Sequence, residues 1–279
     1  MKTFNKSKLQ SVALRCAAYI AGLLTVGVLL CLVVYILIKG VPHLSLDLFS
    51  LKYTSENVSL FPALINTVTM TFFSLLIAVP LGIFSAIYLV EYARRGNKLV
   101  SVVRITAETL SGIPSIVYGL FGFLLFVTTL GFGYSLLAGA LTLAIMILPV
   151  IMRTTEEALI SVPDSYREGS FGLGAGKLRT IFKIVLPSAM PGILAGVVLS
   201  VGRIVGETAA LIYTAGSVAQ IPDNLMGSGR TLSIHLYALW TEGLNTEQSY
   251  ATAVVLLFIV IGLNALSAFV AKRLGKGKV

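Results

Sequence analysis

Six stretches of this 279-residue sequence are each apolar over the length a helix needs to cross a lipid bilayer. A helix rises 1.5 Å per residue and the hydrocarbon layer is about 30 Å thick, so about 20 apolar residues suffice. The stretches run approximately from Val12 to Ile38, Leu64 to Val90, Ile113 to Leu130, Tyr134 to Ile151, Ala189 to Tyr213 and Thr252 to Val270. In lipid every backbone N–H and C=O must be satisfied within its own segment. The expected fold is therefore all-α and integral to the membrane, with six transmembrane helices. A hydrophobic content of 56% against 12% charged residues agrees with the bilayer as solvent. The first run follows Lys2, Lys6, Lys8 and Arg15 as a secretory signal would. It is longer than a signal's apolar core and lacks a small-residue cleavage site, so it is expected to be a retained anchor.

Basic residues set the expected orientation. Of the 21 Lys and Arg, 4 precede or open the first span, 4 lie between spans two and three, 5 between four and five, and 4 after span six. These share one side, which the positive-inside rule makes cytoplasmic, together with both termini. The opposite side receives Lys39, Lys52 and Arg230, and Arg203 lies inside span five. The net charge of +9 is thus a product of membrane topology, and no nucleic-acid partner is expected. Cys16 and Cys31 fall in the first span as apolar fillers, and His43 and His235 stand apart in outer loops. No disulfide, metal site or cofactor is expected.

Residues 152–187 form a long connection on the basic side. Pro163 suits a helix first turn, Asp164 places negative charge at the positive end of the helix dipole, and Ser165 with Glu168 has capping-box spacing. Gly172, Gly174 and Gly176 then interrupt, and Lys177 to Val185 resumes a helical pattern running into Leu186-Pro187. Helix, glycine turn, helix is a shape that projects from the membrane to dock a partner. Gly174-Ala175-Gly176-Lys177 lacks the glycine at Phe171 and the Ser or Thr at Leu178 that a phosphate-binding loop requires. The chain is expected not to be an enzyme, and any ATP would be bound by another polypeptide. On the outer side, Leu232 to Leu244 is expected to form an interfacial or re-entrant helix, with Trp240 as a belt residue.

Span five carries Arg203 and Glu207, four residues apart and, on a continuous helix, on one face. Arg203 lies 14 residues after Ala189, roughly 21 Å along the helix. Insertion of an arginine at such depth costs about 2.5–3.5 kcal/mol. A buried ion pair seldom outperforms apolar residues in its place, which points to function. A guanidinium suits tetrahedral oxyanions, which could displace Glu207 from Arg203, or receive a hydrogen bond from Glu207 if it is protonated. Phosphate keeps a proton of its own at neutral pH where sulfate has none, so the pair leans toward phosphate.

Two resemblances sharpen these expectations. Glu168-Gly169-Ser170, then three residues, Gly174, nine residues, and Ile184-Val185-Leu186-Pro187 resemble the EAA motif of ABC-importer permeases, with small Gly169 and Ser170 in place of its alanines. The runs Ser111 to Gly119, Leu148 to Glu157 and Arg203-x-x-Gly206-Glu207-Thr208-Ala209 resemble the phosphate-specific branch of that family, and look more like its PstA than its PstC members. The resemblance implies a type I, MetI-like permease fold in the bacterial inner membrane with a cytoplasmic coupling helix. The expected division is residues 1–63 as an anchor helix and outer loop, and 64–279 as the permease domain. Implied partners are a PstC-like sister permease, two PstB-like ATPases that bind ATP, a PstS-like binding protein, inorganic phosphate and membrane lipid. The resemblance assigns Arg203, Glu207 and Thr208 to the substrate pathway. It assigns Glu168, Gly169, Ser170, Gly174, Ile184, Leu186 and Pro187 to ATPase coupling. Alternatives are a permease for sulfate, molybdate or phosphonate, a proton-coupled secondary carrier with Glu207 as relay, and a purely structural or signalling subunit.

Overall fold

The computed structural model describes residues 3–94 and 96–276, and every regular element in them is helical. Eleven α-helices follow one another: α1 Thr3–Gly40, α2 Phe61–Ile87, α3 Lys98–Ser111, α4 Ser115–Gly122, α5 Leu136–Ile160, α6 Asp164–Gly172, α7 Lys177–Thr180, α8 Leu186–Val205, α9 Ala209–Ile212, α10 Leu232–Glu242 and α11 Thr246–Lys276. π-helical turns extend three of them: Tyr88–Tyr92 after α2, Phe123–Thr129 after α4, and Ile181–Val185, which joins α7 to α8.

Five straight segments are long and apolar enough to cross a membrane, spanning Gln10–His43, Phe61–Tyr92, Leu136–Ile160, Lys177–Val205 and Thr246–Leu266. The segments 98–111 and 115–129 pass the same test only when taken together, which gives up to six spans, and they are bent by 103° where they meet. That bend is the Gly112-Ile113-Pro114 segment. The residue before a proline is disfavoured in α-helix, and Pro114 is itself extended at ψ 141° and opens α4. The sequence reading starts span three at Ile113 and leaves α3 out. Its alternation of Lys98, Arg104 and Glu108 with Val100, Val103 and Ile105 is amphipathic and falls short of a lipid-spanning run.

α5 is the central helix. It packs between α2 and α8, burying Leu143, Met146, Ile147 and Ile151 completely. Small residues bring the neighbours close: a side chain added at Gly82 would strike Ile151, one at Gly192 would strike Ala158, and one at Gly196 would strike Thr154. α1 lies outside this bundle with its apolar residues exposed and touches α11 through Gly40, which packs on Tyr250 and Val254. Cys16 and Cys31 are free thiols on its exposed surface.

Candidate functional site

Two groups of sequence-predicted residues lie in different parts of the fold. The first is at the basic end. Pro163 is the extended cap residue before α6, at φ −57° and ψ 139°, and Asp164 takes the first turn. The expected Ser165–Glu168 capping box does not form, because the helix starts two residues earlier than that pattern requires. α6 is held instead by Arg167. Its guanidinium donates to Glu91 Oε1 at 3.0 and 2.8 Å, to the carbonyls of Val162 at 2.8 Å and Leu159 at 3.0 Å, and to Asp164 at 3.3 Å. The Arg167 and Glu91 side chains are only 14% and 8% exposed, so α6 is fastened to the end of α2 by a nearly buried ion pair.

Ser170 is buried and shares a 2.8 Å hydrogen bond with Thr180, clamping α6 to α7. A large side chain there would not fit this clamp. Glu168 and Gly169 are exposed, and an added side chain at Gly169 would meet nothing within 4 Å. Gly174 adopts φ +79°, with its N–H on Phe171 C=O at 2.9 Å, and the next N–H, of Ala175, reaches Ser170 C=O at 3.1 Å. That is the left-handed residue closing a helix C-terminus, which glycine adopts without strain. Ile184, Leu186 and Pro187 are half-buried in the π turn and first turn of α8. Around the glycine turn the loop presents Tyr166, Phe171, Leu178 and a 91% exposed Leu173.

The second group lies in span five, and here one expectation is corrected. α8 ends at Val205, and Gly206 to Thr208 leave the helix before α9 resumes. Arg203 and Glu207 therefore do not share a helical face, and no ion pair joins them. Glu207 is 8% exposed. Its Oε1 accepts from the Ala210 N–H at 3.0 Å, satisfying a donor at the start of α9, and its backbone carbonyl accepts from Ser233 Oγ. The carboxylate is committed to the chain break. Arg203 is left half-exposed and within electrostatic reach of the Tyr118 phenol on α4.

Register fixes its depth. Gly192 faces Ala158 and Gly196 faces Thr154, so each step outward along α8 is matched by an equal step back along α5. Continued to Arg203, this reaches the level of Ile147, the middle of the Leu136–Ile160 span. α4 closes on α9 at Gly119, where an added Cβ would lie 2.7 Å from Ala210 Cα. Thr208 lines a cavity of about 380 Å³ with Ser233, Tyr237, Trp240 and Tyr250.

α10 covers this region from the end opposite α6, as a helix whose first residues are buried. Asn66 Nδ2 donates to the Gln220 and Arg230 carbonyls at 2.8 and 3.1 Å, and Leu232 N–H donates to Thr67 Oγ1 at 2.9 Å. Buried Arg230 stacks over Tyr53, whose ring meets His235 edge-on. Trp240 stays half-exposed against Tyr250. Sequence reasoning missed Glu91, Arg167 and Thr180, because each acts through a partner that local spacing does not reveal.

Comparison with known proteins identifies the family. The family described as "Binding-protein-dependent transport system inner membrane component" matches residues 78–278. A probable ABC transporter permease protein of Bacillus subtilis, YqgI, is 37% identical over 82% of this chain and 81% of its own length. The phosphate transport system permease protein PstA 1 of Mycobacterium tuberculosis H37Rv is 40% identical over 76% of this chain and 70% of its own. Among solved structures, the MetNI methionine ABC transporter in an inward-facing conformation aligns at a TM-score of 0.60 and 22% identity, over 77% of this chain and 94% of that one. The chain belongs to the family of binding-protein-dependent transport system inner membrane components, the permease subunits of ABC importers.

Proposed function

We propose that this chain forms half of the translocation pathway of an ATP-driven inorganic phosphate importer. The observation that carries the reading is Arg203: a guanidinium at mid-membrane depth with no carboxylate partner among the described residues. Such a group offers a fork of donors to a tetrahedral oxyanion, at a site where an unpaired cation is otherwise costly. The naming of the 40% identical relative as a phosphate transport permease supports phosphate over other oxyanions.

In this reading Glu207 holds the break between α8 and α9 in shape, and Thr208 lines the path beside it. The basic end faces the bacterial cytoplasm, with both termini inside, residues 1–63 anchoring and 64–279 forming the permease domain. The 152–187 loop, through Glu168, Gly169, Ser170, Gly174, Ile184, Leu186 and Pro187, couples to a PstB-like ATPase. The complex contains a PstC-like sister, two such ATPases and a PstS-like donor of phosphate. This chain performs no catalysis and holds no cofactor. Nucleotide-driven closure of the ATPases moves α6, and the Arg167–Glu91 bond passes that motion to α2.

Labelled-phosphate uptake into proteoliposomes holding the four components tests the reading. ATP-dependent uptake that resists excess sulfate is expected. Uptake driven by a proton gradient without ATP would replace it with a secondary carrier.

A further inference from the structure

At the basic end, a cavity of about 820 Å³ opens between the end of α2, the start of α3 and the α5–α6 corner. Arg94, Lys98, Arg104 and Arg167 line it, against Glu91 and Asp164. These charges are not equivalent. Arg167 is bound to both carboxylates, and Arg104 Nη2 reaches Glu156 at 2.6 Å. Arg94 and Lys98 remain: exposed, at the mouth of the cavity, and without a hydrogen-bond or ion-pair partner for either side chain among the described residues. The first turn of the 14-residue α3 adds the positive end of a helix dipole to the same wall. Arg167 offsets one of its two carboxylates, so exposed Asp164 leaves about one negative charge against the two positive charges of Arg94 and Lys98.

The setting is as informative as the charge. α3 is amphipathic and turns by 103° away from the apolar segment 115–129 that follows it. It is fixed at the level of the last turns of α5 by Arg104–Glu156 and by Arg153–Glu108 at 3.6 Å. Leu99, Val102, Val103 and Ile105 on it are exposed. Leu89, Val100 and Ile160 continue the apolar surface into the cavity. A basic mouth above an apolar wall at the membrane boundary matches a phosphate ester with an acyl tail.

We propose that this cavity binds a phosphate group on Arg94 and Lys98, supplied by the headgroup of an anionic phospholipid or by free inorganic phosphate. A bound phosphate would bridge the end of α2 and the start of α3 directly beside Arg167, and so tighten the seat of α6. The inference does not depend on which anion the complex transports.

The purified full complex, delipidated and then titrated with phosphatidylglycerol, phosphatidylcholine or inorganic phosphate, tests it by native mass spectrometry and thermal unfolding. Arg94→Gln with Lys98→Gln is the test variant; neither side chain has a partner to lose among the described residues. Arg179→Gln with Lys183→Gln removes equal charge from the same end outside the cavity. Retention and stabilisation by phosphatidylglycerol, weakened about thirtyfold in the cavity variant and unchanged in the control, establishes the lipid source. The same pattern with inorganic phosphate alone establishes the free ion. Equal responses of wild type and the cavity variant to both ligands, or equal loss in the control variant, overturn the proposal.

Discussion

Arg167 on α6 grips Glu91 at the end of α2, 76 residues back along the chain, through two hydrogen bonds to one carboxylate oxygen. Removing one partner of a nearly buried pair leaves the other charge stranded, at a cost of about 3–5 kcal/mol. Glu91→Gln and Arg167→Gln are each expected to lower the unfolding temperature and to reduce transport more than ATPase co-purification. The exposed surface proposed to dock the ATPase survives in both variants while its link to α2 is cut. Equal losses of binding and transport would mean that Arg167 shapes the docking surface rather than transmitting through it.

Gly174 separates a backbone requirement from a steric one. Its φ of +79° disfavours any side chain, yet an added Cβ would meet nothing within 4 Å. Substitutions should therefore rank by tolerance of the left-handed region, with Asn least damaging and Val and Leu most. Gly174→Leu is expected to weaken ATPase co-purification and transport, with Gly174→Asn retaining most of both. Gly169→Ala, inside α6 with open space around it, should instead stabilise by up to about 1 kcal/mol. Co-purification of the ATPase with each variant provides the measurement.

These two residues show what local sequence encodes. Pro163 and Gly174 bound α6 because proline and glycine act through their own backbones, and the spans were visible because lipid imposes length and composition. Arg167 with Glu91 was invisible since no periodicity links residues so distant. The Arg203–Glu207 reading failed for a different reason. Four-residue spacing places two side chains together only on an unbroken helix, and the single local hint of a break was Gly206. α3 escaped because an amphipathic helix has only one apolar face, which the criterion of a continuous apolar run discards.

Glu207 and Arg203 should respond differently to substitution. Gln at 207 keeps an oxygen that can accept from the Ala210 N–H, so Glu207→Gln preserves the cap and removes the charge, while Glu207→Ala removes both. Arg203 has no hydrogen bond or ion pair to lose among the described residues. Arg203→Ala is expected to cut phosphate uptake by tenfold or more, the worth of about 1.5–3 kcal/mol from one charged hydrogen bond, with the complex still assembling. Glu207→Ala should lower stability and uptake together. Wild-type uptake in Arg203→Ala would remove Arg203 from the pathway.

Gly119 controls how closely α4 approaches the break in span five. A methyl group there would lie 2.7 Å from Ala210 Cα, and because that atom is backbone, α9 itself must move. Overpacking of this kind costs about 1–3 kcal/mol. Gly119→Ala is expected to depress both unfolding temperature and uptake, since Ala210 also supplies the N–H that Glu207 accepts. Gly202→Ala is the matched control: it adds the same methyl group to α8, where nothing lies within 4 Å.

His235 makes the outer helix α10 sensitive to acid. Burial, reinforced by the Arg230 charge and only partly opposed by the Val58 backbone, lowers its pKa from 6.5 to about 3. The unfolded chain therefore takes up a proton in the range between these values that the folded chain refuses. The resulting stability is fully present above about pH 6.5 and is lost as pH falls toward 3, with a slope of up to roughly 1.4 kcal/mol per unit inside that window. His235→Phe keeps a ring against Tyr53 and removes the titration. Thermal unfolding between pH 8 and pH 5 is expected to show a shallower acid-side decline in this variant than in wild type. An unchanged decline would mean that protonation elsewhere opens the fold first, leaving His235 a packing residue under Tyr53.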